Sequence, residues 1–503
     1  MYRKLILLKF VLISACLSAP SHTKEINLAL SSAPSNMSPF NSTDANSQNL
    51  NRLVYLSLVD VDQNMNFECR ACESYTETVE DVRHTIRFKL REDLRFHNGE
   101  KLVARHVLES WQAFLNEENQ SVFKKAFSKI SSIIVHSDYD LSLVYENYDL
   151  ENLTNLVLLK IFIQKDGELI GSGPYRISEL KPLEIKLNAI NAEDYPNFVF
   201  KVVRDETTLA LKLLNGEVDL SLAQISPRKL DWLLARPKSE LKLYRQQGTN
   251  TVYLSPNHRR GPLADLKVRQ ALSHLIPRED LAKHKLKNSV TVATGFFSES
   301  FSGVYLKRDY DSYDPPRAYQ FLTEAGYLRA ENGRWQKNGQ DLSIDWKVSN
   351  NRATIEIVET IKHFLENHGF VVNLTIQEWG IFMRSLRTGQ FDLIISQWLG
   401  FTGPEMLGVV FHSKNHPPVG ANRGFYSSSQ FDLAYDKAIA PANKNKAREY
   451  FRAAHEIAVN DYAYIDLWHP EIRWIGRSCI DLPTLYSTGS FLALLELKNN
   501  CKD

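Results

Sequence analysis

The alternation that decides the fold class lies in residues 342–396, whose sequence is LSIDWKVSNNRATIEIVETIKHFLENHGFVVNLTIQEWGIFMRSLRTGQFDLIIS. Apolar and alternating runs predict three strands, over 342–348, 371–377 and 391–396. The stretches between them, 353–367 and 379–386, have the apolar spacing of amphipathic helices, and Gly369 follows the first. Strand–helix–strand units need crossover connections, so this part of the chain is predicted to be α/β.

The same mixture of elements extends towards both ends of the chain. Alternating runs predict further strands over 25–31, 85–91, 130–144 (two strands), 175–178, 184–187, 198–203, 218–220 and 251–255. Helical spacing predicts further helices over 47–58, 103–115, 207–214, 266–275, 316–324 and 446–460. A chain of 503 residues is longer than one hydrophobic core usually organises, so at least two lobes are expected.

The N-terminus has the pattern of an export signal. The short basic segment Tyr2-Arg3-Lys4 precedes an almost wholly apolar run, residues 5–15, which is shorter than the ~20 residues that span a bilayer. We therefore predict a signal peptide over 1–15 and an exported protein. The run ends in Ile13-Ser14-Ala15-Cys16, which resembles a bacterial lipoprotein signal with Cys16 lipidated. The alternative is ordinary cleavage a few residues later, which discards Cys16.

The composition is that of a soluble globular protein. Hydrophobic residues make up 43% and charged residues 24%, and the formal net charge is +1. A nucleic-acid partner is not expected, because phosphates require clustered Lys and Arg. No segment after the signal approaches 18 uninterrupted apolar residues, so the membrane is expected to be reached only through a lipid anchor.

Apart from Cys16, the chain contains four cysteines: Cys69, Cys72, Cys479 and Cys501. Export permits disulfides, so a Cys69–Cys72 loop and a Cys479–Cys501 bridge to the tail are candidates, with surface thiols as the alternative. A zinc site would need a second ligand cluster, which the sequence lacks. The acidic neighbours of the Cys69–Cys72 pair disfavour a redox motif, since they raise a thiol pKa. No metal and no cofactor are predicted.

Catalytic motifs are also missing from the sequence. It has no nucleophile elbow, no H-E-x-x-H, no P-loop and no dinucleotide fingerprint. His412 and His416 are four residues apart but lie in a predicted loop. We expect a non-enzymatic protein, with an exported hydrolase as a less favoured alternative.

Short motifs occur in order along nearly the whole chain. They are Pro34 with Pro39-Phe40-Asn41, TIRFKLREDLRFHNG (85–99), GSGPY (171–175), LLNGEVD (213–219), LKVRQAL (266–272), IPREDL (276–281), AGY (325–327), GQFDL (389–393) with Trp398, and NRGFY (422–426) with Asp432. Together they resemble one known family, the extracellular solute-binding proteins of family 5, which bind dipeptides, oligopeptides or nickel.

The resemblance implies an α/β, two-lobed periplasmic-binding-protein fold (type II, large peptide-binder subclass), with mixed sheets flanked by helices and a hinge. Lobe one would comprise residues 24–255 plus about 470–503, with an inserted subdomain over about 60–165, and lobe two residues 256–469. It implies the substrate-binding component of an ABC-type importer: a monomer in the periplasm or on the outer face of the membrane, delivering a peptide or peptide-like solute to a permease and ATPase complex. The alternative is a ligand sensor with the same fold.

The resemblance also suggests ligand-binding residues: Phe40, Tyr175, Trp398, Gly400, Phe401, Thr402 and Glu405. Trp398 has the alternative role of a core aromatic. Peptide-binding relatives carry an Asp three residues after the equivalent Trp, where it pairs with the ammonium of the peptide, but this chain has Phe401 there. Either Glu405, the nearest acid, substitutes, or the ligand lacks a free amine. The identity of the ligand does not follow from the sequence.

Overall fold

The structure is a computed structural model, and it describes residues 25–149, 151–223, 225–236, 240–309, 311–400 and 403–501. It is an α/β fold of two lobes in which mixed sheets are flanked by helices, as predicted. The predicted signal peptide over residues 1–15 and Cys16 lie outside the described residues.

Twenty-five strands occur in the described residues. They are β1 (Glu25–Leu30), β2 (Val59–Val61), β3 (Phe67–Cys69), β4 (Cys72–Glu80), β5 (Arg83–Leu90), β6 (Ile130–Ser137), β7 (Asp140–Tyr145), β8 (Ile163–Lys165), β9 (Glu168–Ile170), β10 (Tyr175–Lys181), β11 (Glu184–Ala189), β12 (Asn197–Val202), β13 (Leu220–Ser221), β14 (Leu241–Gln247), β15 (Thr251–Pro256), β16 (Val290–Val292), β17 (Leu328–Arg329), β18 (Trp335–Lys337), β19 (Gln340–Asp341), β20 (Ser343–Ser349), β21 (Val371–Gln377), β22 (Leu393–Trp398), β23 (Ile465–Arg477), β24 (Ile480–Asp481) and β25 (Lys498–Asn499).

Fourteen α-helices occur in the same part of the chain. They are α1 (Ala45–Val54), α2 (Ala104–Leu115), α3 (Lys124–Phe127), α4 (Glu151–Asn155), α5 (Glu206–Leu214), α6 (Pro227–Leu234), α7 (Leu266–His274), α8 (Arg278–Asp280), α9 (Pro315–Glu324), α10 (Arg352–Asn367), α11 (Trp379–Thr388), α12 (Met406–Phe411), α13 (Ser429–Ile439) and α14 (Ala447–Asn460). No helix among the described residues has the length and apolar character needed to cross a bilayer.

The segment quoted first folds as its pattern predicts, into β20, α10, β21, α11 and β22. The side chain of Asn351 accepts a hydrogen bond from the backbone N–H of Thr354 and so caps α10. Glu378 caps α11 in the same way through the backbone N–H of Gly380. Strands β20 and β21 are parallel with Ser343 opposite Val371, so the helix between them is the expected crossover connection.

One large sheet runs through both halves of the molecule, in the order β10-β11-β12-β1-β13-β23-β15-β22-β20-β21, with β14 and β16 also paired to β23. The 13-residue strand β23 joins the two halves. Up to Trp468 it pairs with β15, whereas from Glu471 onward it pairs with β14 and then β13. We call residues 25–247 and 471–501 the first lobe and residues 251–468 the second lobe.

Each lobe has its own hydrophobic core, and β23 contributes to both. Ile465, Leu467 and Trp468 belong to a core of the second lobe with α7, α9 and α10. Ile472 and Trp474 belong to the core of the first lobe, together with α1 and the tail. Two separately buried cores are what allow two lobes to move relative to each other without exposing apolar surface.

Strand β15 lies at the predicted boundary between the lobes. The sequence prediction assigns residues 251–255 to lobe one, but β15 pairs with β22 of the second lobe throughout its length. The pairing therefore changes partner at residues 248–250 rather than at 255. The predicted return near residue 470 coincides with Pro470, where β23 changes partner. Within the predicted subdomain over about 60–165, β4-β5-β7-β6 form a sheet of their own.

Both candidate cysteine pairs are bonded in the structure. Cys69 and Cys72 close a short loop between β3 and β4, and Cys479 and Cys501 join the end of β23 to the tail.

Candidate functional site

Two adjacent stretches of backbone connect the lobes, residues 248–250 and 469–470. The N–H of Gly248 donates to the carbonyl of Pro470 at 3.2 Å, and the Nδ1 atom of His469 lies 3.1 Å from the carbonyl oxygen of Asn250. A Cβ atom at Gly248 would overlap the carbonyl of Pro470, so the two stretches approach as closely as backbones can. Two short, adjacent, antiparallel connections between separate cores form the geometry of a hinge.

An aromatic stack forms the wall of the second lobe beside this hinge. The rings of Tyr253 and Tyr464 are stacked with centroids 3.8 Å apart, and the ring of Trp398 is stacked on Tyr253 at 6.4 Å. The guanidinium of Arg423 lies 5.0 Å from the centre of the Trp398 ring, and the indole N–H donates to the hydroxyl of Tyr464 at 3.3 Å. Trp398 is half-buried, so one part of its ring remains open to a ligand.

The chain after Trp398 turns back onto the hinge. The N–H of Gly400 donates to the side-chain oxygen of Asn250 at 3.0 Å, which joins this loop to the connection between β14 and β15. Phe401 and Thr402, which the sequence suggests as ligand contacts, lie outside the described residues.

Glu405 is half-buried and close to acidic groups of the first lobe. Burial raises the pKa of its carboxyl to about 7, its own backbone N–H lowers it, and the carboxylates of Glu151 and Asp149 raise it further. In the described residues no cation forms an ion pair with Glu405, whereas the ammonium of Lys129 lies 2.9 Å from both Asp149 and Glu151. Glu405 is therefore an uncompensated acid on the side of the second lobe that faces the first.

Two other suggested ligand contacts belong to the core of the first lobe. The Phe40 ring is 5% exposed and packs edge-on against Phe114 and Phe162, with centroids 5.0 and 5.3 Å away. Tyr175 is fully buried, with its ring stacked 4.9 Å from that of Phe198. Their side chains pack within the lobe, and the backbone N–H and carbonyl of Phe40 are bonded to Ser38, Ser121 and Val122.

The first lobe contributes a group of polar residues that the sequence did not suggest. Arg52, Asp60, Lys160 and Asn51 are buried or nearly so, behind the loop that follows β1. The available signal was a lone lysine inside the apolar run Leu156-Val-Leu-Leu-Lys-Ile-Phe162, since a charge in such a run is unusual unless it is paired.

The lobes also touch directly. Met65, in the turn between β2 and β3, packs against the aromatic cluster of the second lobe that contains Tyr253 and Tyr464. The hydroxyl of Ser300 in the second lobe donates to that of Ser487 in the tail at 2.8 Å, and Ser487 donates to the carbonyl of Gln63 at 2.9 Å. We call the space between the lobes the crevice. The hinge, the aromatic wall and the first-lobe turn that carries Gln63 and Met65 lie around it.

Among the described residues, no three His, Cys, Asp or Glu side chains converge as metal ligands would. The crevice therefore offers aromatic faces, backbone groups and isolated charges, which suit the binding of a polar organic molecule.

Comparison with known proteins gives consistent matches over most of the chain. Residues 69–415 match the family described as bacterial extracellular solute-binding proteins, family 5 Middle. The oligopeptide-binding protein AppA of Bacillus subtilis (strain 168) is 24% identical over 463 residues, covering 85% of this chain and 83% of that protein. The glutathione-binding protein GsiB of Shigella boydii serotype 4 (strain Sb227) is 23% identical over 480 residues, covering 88% of each.

Solved structures share the fold. The crystal structure of NikA from Brucella suis in complex with Fe(III)-EDTA superposes with a TM-score of 0.81 at 20% identity, covering 95% of this chain and 100% of that one.

Proposed function

Because this chain belongs to family 5 of the bacterial extracellular solute-binding proteins, we propose that it is the substrate-binding component of an ABC-type importer. It captures a peptide or peptide-like solute between its lobes and delivers it to a membrane permease and ATPase complex. The observation that carries this proposal is the pair of adjacent connections at 248–250 and 469–470. They leave two separately packed lobes free to close over the crevice.

A peptide-like solute is supported by the lining of the crevice and by the names of two relatives, which bind oligopeptides and glutathione. The half-buried indole of Trp398 offers an apolar face, and the hydrogen bond from Gly400 to Asn250 holds the loop after Trp398 beside the hinge. Glu405 is the acid we assign to a cationic group of the solute, in place of the aspartate missing at Phe401. Of the suggested contacts, Trp398, Gly400 and Glu405 are retained, and Phe401 and Thr402 stay predictions.

The solute leaves the protein chemically unchanged in this proposal, so the protein is a carrier and not an enzyme. Export follows from residues 1–15, with Cys16 as the lipid-anchored N-terminus. The protein acts as a monomer in the periplasm or on the outer face of the membrane. We propose that the hinge lies at 248–250 and 469–470, with the first lobe ending near residue 247 and resuming near residue 471, which the change of pairing partners along β23 supports.

Native mass spectrometry of the protein purified from its own host tests this function. We expect a complex heavier than the chain by the mass of one small solute, which is released unaltered on denaturation. Failure to find a bound solute, followed by failure of peptide mixtures to bind the emptied protein, would refute the proposal. Release of a solute cut into fragments would favour the hydrolase instead.

A further inference from the structure

Two buried serines from different lobes meet beside the hinge. Ser487 lies in the tail that completes the first lobe and is 1% exposed. Ser300 lies in the second lobe, in the loop after β16, and is 8% exposed. The hydroxyl of Ser300 donates to that of Ser487 at 2.8 Å. Polar groups buried to this degree are normally paired, and this pairing extends from one lobe to the other.

Ser487 is bonded to the first lobe and to the hinge at the same time. Its hydroxyl donates to the carbonyl of Gln63 at 2.9 Å and accepts from the side-chain amide of Gln246 at 3.3 Å. Its carbonyl accepts from the N–H of Thr249 in the hinge at 3.1 Å, and Thr249 is itself 1% exposed. The position of Ser487 relative to the first lobe is therefore fixed by three separate hydrogen bonds.

The bond between the two serines completes the hydrogen bonding of the Ser487 hydroxyl. A serine hydroxyl has one proton to donate and two lone pairs that accept. The proton goes to Gln63, and the lone pairs accept from Gln246 and Ser300. The Ser300 hydroxyl also lies 3.5 Å from the carbonyl oxygen of Gln247 in the first lobe. Separation of the lobes removes Ser300 from both acceptors, so its hydroxyl must then be hydrated or remain unpaired.

An open cavity next to the serine pair has walls from both lobes. Its volume is about 420 Å³, and its lining includes Gln63 and Glu471 of the first lobe with Glu299 and Ser300 of the second. A cavity between two lobes changes its volume when the lobes rotate about a hinge. Because Ser300 lies in its wall, rotation that widens this cavity moves Ser300 away from Ser487.

A second contact between the lobes is exposed and differs in this respect from the serine pair. The guanidinium of Arg245 in β14 donates to the carbonyl of Asn288 in the second lobe. The Arg245 side chain is 44% exposed and also pairs with Glu471. Water replaces an exposed bond of this kind at little cost, so the bond has little effect on the arrangement of the lobes. The buried bond between Ser300 and Ser487 is shielded from water and has the larger effect.

We propose that the Ser300–Ser487 bond is a latch that holds the lobes together over the crevice, with Ser487 as its positioning residue. The inference deepens the proposed function and rests on it, because the latch acts on closure around the solute. The backbone connections at 248–250 and 469–470 define an axis but leave the angle about that axis free. A third contact beside them restricts this angle reversibly, since one hydrogen bond shifts an equilibrium by only about two- to tenfold.

Small-angle X-ray scattering of the full chain, emptied of solute, tests the latch without any ligand. Ser300→Ala removes the bond between the lobes and leaves Ser487 bonded to Gln63 and Gln246, so we expect the first lobe to keep its fold. The radius of gyration should be larger than in the wild type, and Ser487→Ala should show the same increase. The double variant should show no further increase, because both substitutions remove the same bond.

Ser110→Ala is the matched control for these variants. Ser110 is 1% exposed, and its hydroxyl donates to the carbonyl of Phe162 and accepts from the N–H of the same residue. Its bonds stay within the first lobe, so the substitution should lower the unfolding midpoint and leave the radius of gyration unchanged. A wild-type radius in either latch variant, additive increases in the double variant, or an equal increase in Ser110→Ala would overturn the latch.

The rate of solute release tests whether the latch acts on capture. The probe is the solute that co-purifies with the wild type or, failing that, a peptide that it retains from a mixture. Native mass spectrometry after dilution follows the added mass with time.

We expect release to be roughly two- to tenfold faster in Ser300→Ala and unchanged in Ser110→Ala. Equal release rates in Ser300→Ala and the wild type would overturn the role in capture, even if scattering shows a larger radius. If neither a co-purified solute nor a peptide binds, the proposed function fails, and scattering alone decides whether the latch holds the lobes together.

Discussion

At the scale of single residues, the indole of Trp398 is the group most exposed to a solute in the aromatic wall. It is supported from behind by the ring of Tyr253 and held by the hydroxyl of Tyr464, so its face is fixed before a ligand arrives. A rigid aromatic surface binds without a large loss of side-chain entropy, and such residues contribute most to recognition.

We therefore expect Trp398→Ala to weaken solute binding by about tenfold or more, which corresponds to ~1.4 kcal/mol. The control is Trp379→Ala, because Trp379 is 59% exposed on α11 and belongs to no part of the crevice wall. Its affinity should stay within about twofold of the wild type. Calorimetric titration with the solute measures both, and equal losses in the two variants would contradict the assignment of Trp398.

The raised pKa of Glu405 predicts that the stability of the fold decreases as the pH rises. Its pKa is raised from 4.5 to about 7, mainly by burial, so between these values the folded protein retains a proton that the unfolded chain releases. The contribution of this bound proton to the free energy of unfolding is fully present below about pH 4.5. It is lost as the pH rises through about 7. Glu151 and Asp149 face the carboxyl from the first lobe and act in the same direction, while Lys129 pairs with both of them.

Chemical denaturation at pH 5 and pH 8 measures this effect. Between pH 5 and pH 8, the free energy of unfolding should fall less in Glu405→Gln than in the wild type. The difference between the two proteins should be on the order of 1–2 kcal/mol. Glu456→Gln, at an exposed position of α14, is the matched control and should show the wild-type slope. An unchanged slope in Glu405→Gln would show that its carboxyl is solvated.

Sequence patterns identified residues whose position follows from a local strand, and missed residues whose position depends on packing between distant segments. Trp398 lies at the end of a strand that the alternation predicts, so its position could be inferred. The family resemblance suggested Tyr175 as a ligand contact, but its ring is fully buried and stacked on Phe198. The buried placement of Lys160 beside Asn51 depends on packing between segments about 100 residues apart, and its local signal was the lone lysine in the apolar run 156–162.

At the scale of secondary structure, β23 is the element that organises the molecule. It is 13 residues long and pairs with β13, β14, β15 and β16. Its sequence did not predict a strand, because Pro470 lies within it and proline normally excludes a central strand. At Pro470 the pairing of β23 passes from β15 to β14, and Val290 of β16 lies opposite the proline. The proline still accepts a hydrogen bond through its carbonyl, from the N–H of Gly248.

The close approach of Gly248 to the carbonyl of Pro470 predicts that an added methyl group at residue 248 destabilises the fold. Gly248→Ala would place a Cβ against the carbonyl of Pro470, where backbone must move, and we expect a loss of about 1–3 kcal/mol in stability. Gly380→Ala is the control, since the added Cβ meets only the flexible side chain of Glu378 in α11. It should be neutral or slightly stabilising, because alanine favours a helix. Denaturant unfolding measures both, and equal effects would show that the hinge is not tightly packed.

Most elements of regular structure followed from periodicity. The strands and helices between residues 343 and 398 match their predicted positions within about two residues, because each is amphipathic and bounded by a cap or a glycine. Helix α13 (Ser429–Ile439) and strand β14 (Leu241–Gln247) were not predicted. Their burial is partial, so the apolar spacing on which such predictions depend is weak.

At the scale of the whole molecule, the separate cores and the continuous sheet have different roles. The separate cores let each lobe keep its apolar residues buried in any relative orientation. The shared strand β23 and the connection at 248–250 keep the lobes aligned while they move. The two-lobed architecture followed from the order of the family motifs, whereas the position of the hinge needed the strand pairing, which no short motif encodes.

A few residues of the two lobes touch each other directly. Met65 of the first lobe inserts against the aromatic cluster of the second, and Ser300 and Ser487 are joined by a hydrogen bond. These contacts are few and small, so they stabilise closure only weakly, and a bound solute must supply the rest of the free energy.

Small-angle X-ray scattering of the purified protein, first emptied of solute and then saturated with it, tests closure around a captured solute most directly. The account predicts that the radius of gyration and the maximum dimension both decrease on saturation, while the chain remains monomeric. Identical profiles for the two states, with binding confirmed by calorimetry on the same sample, would contradict it.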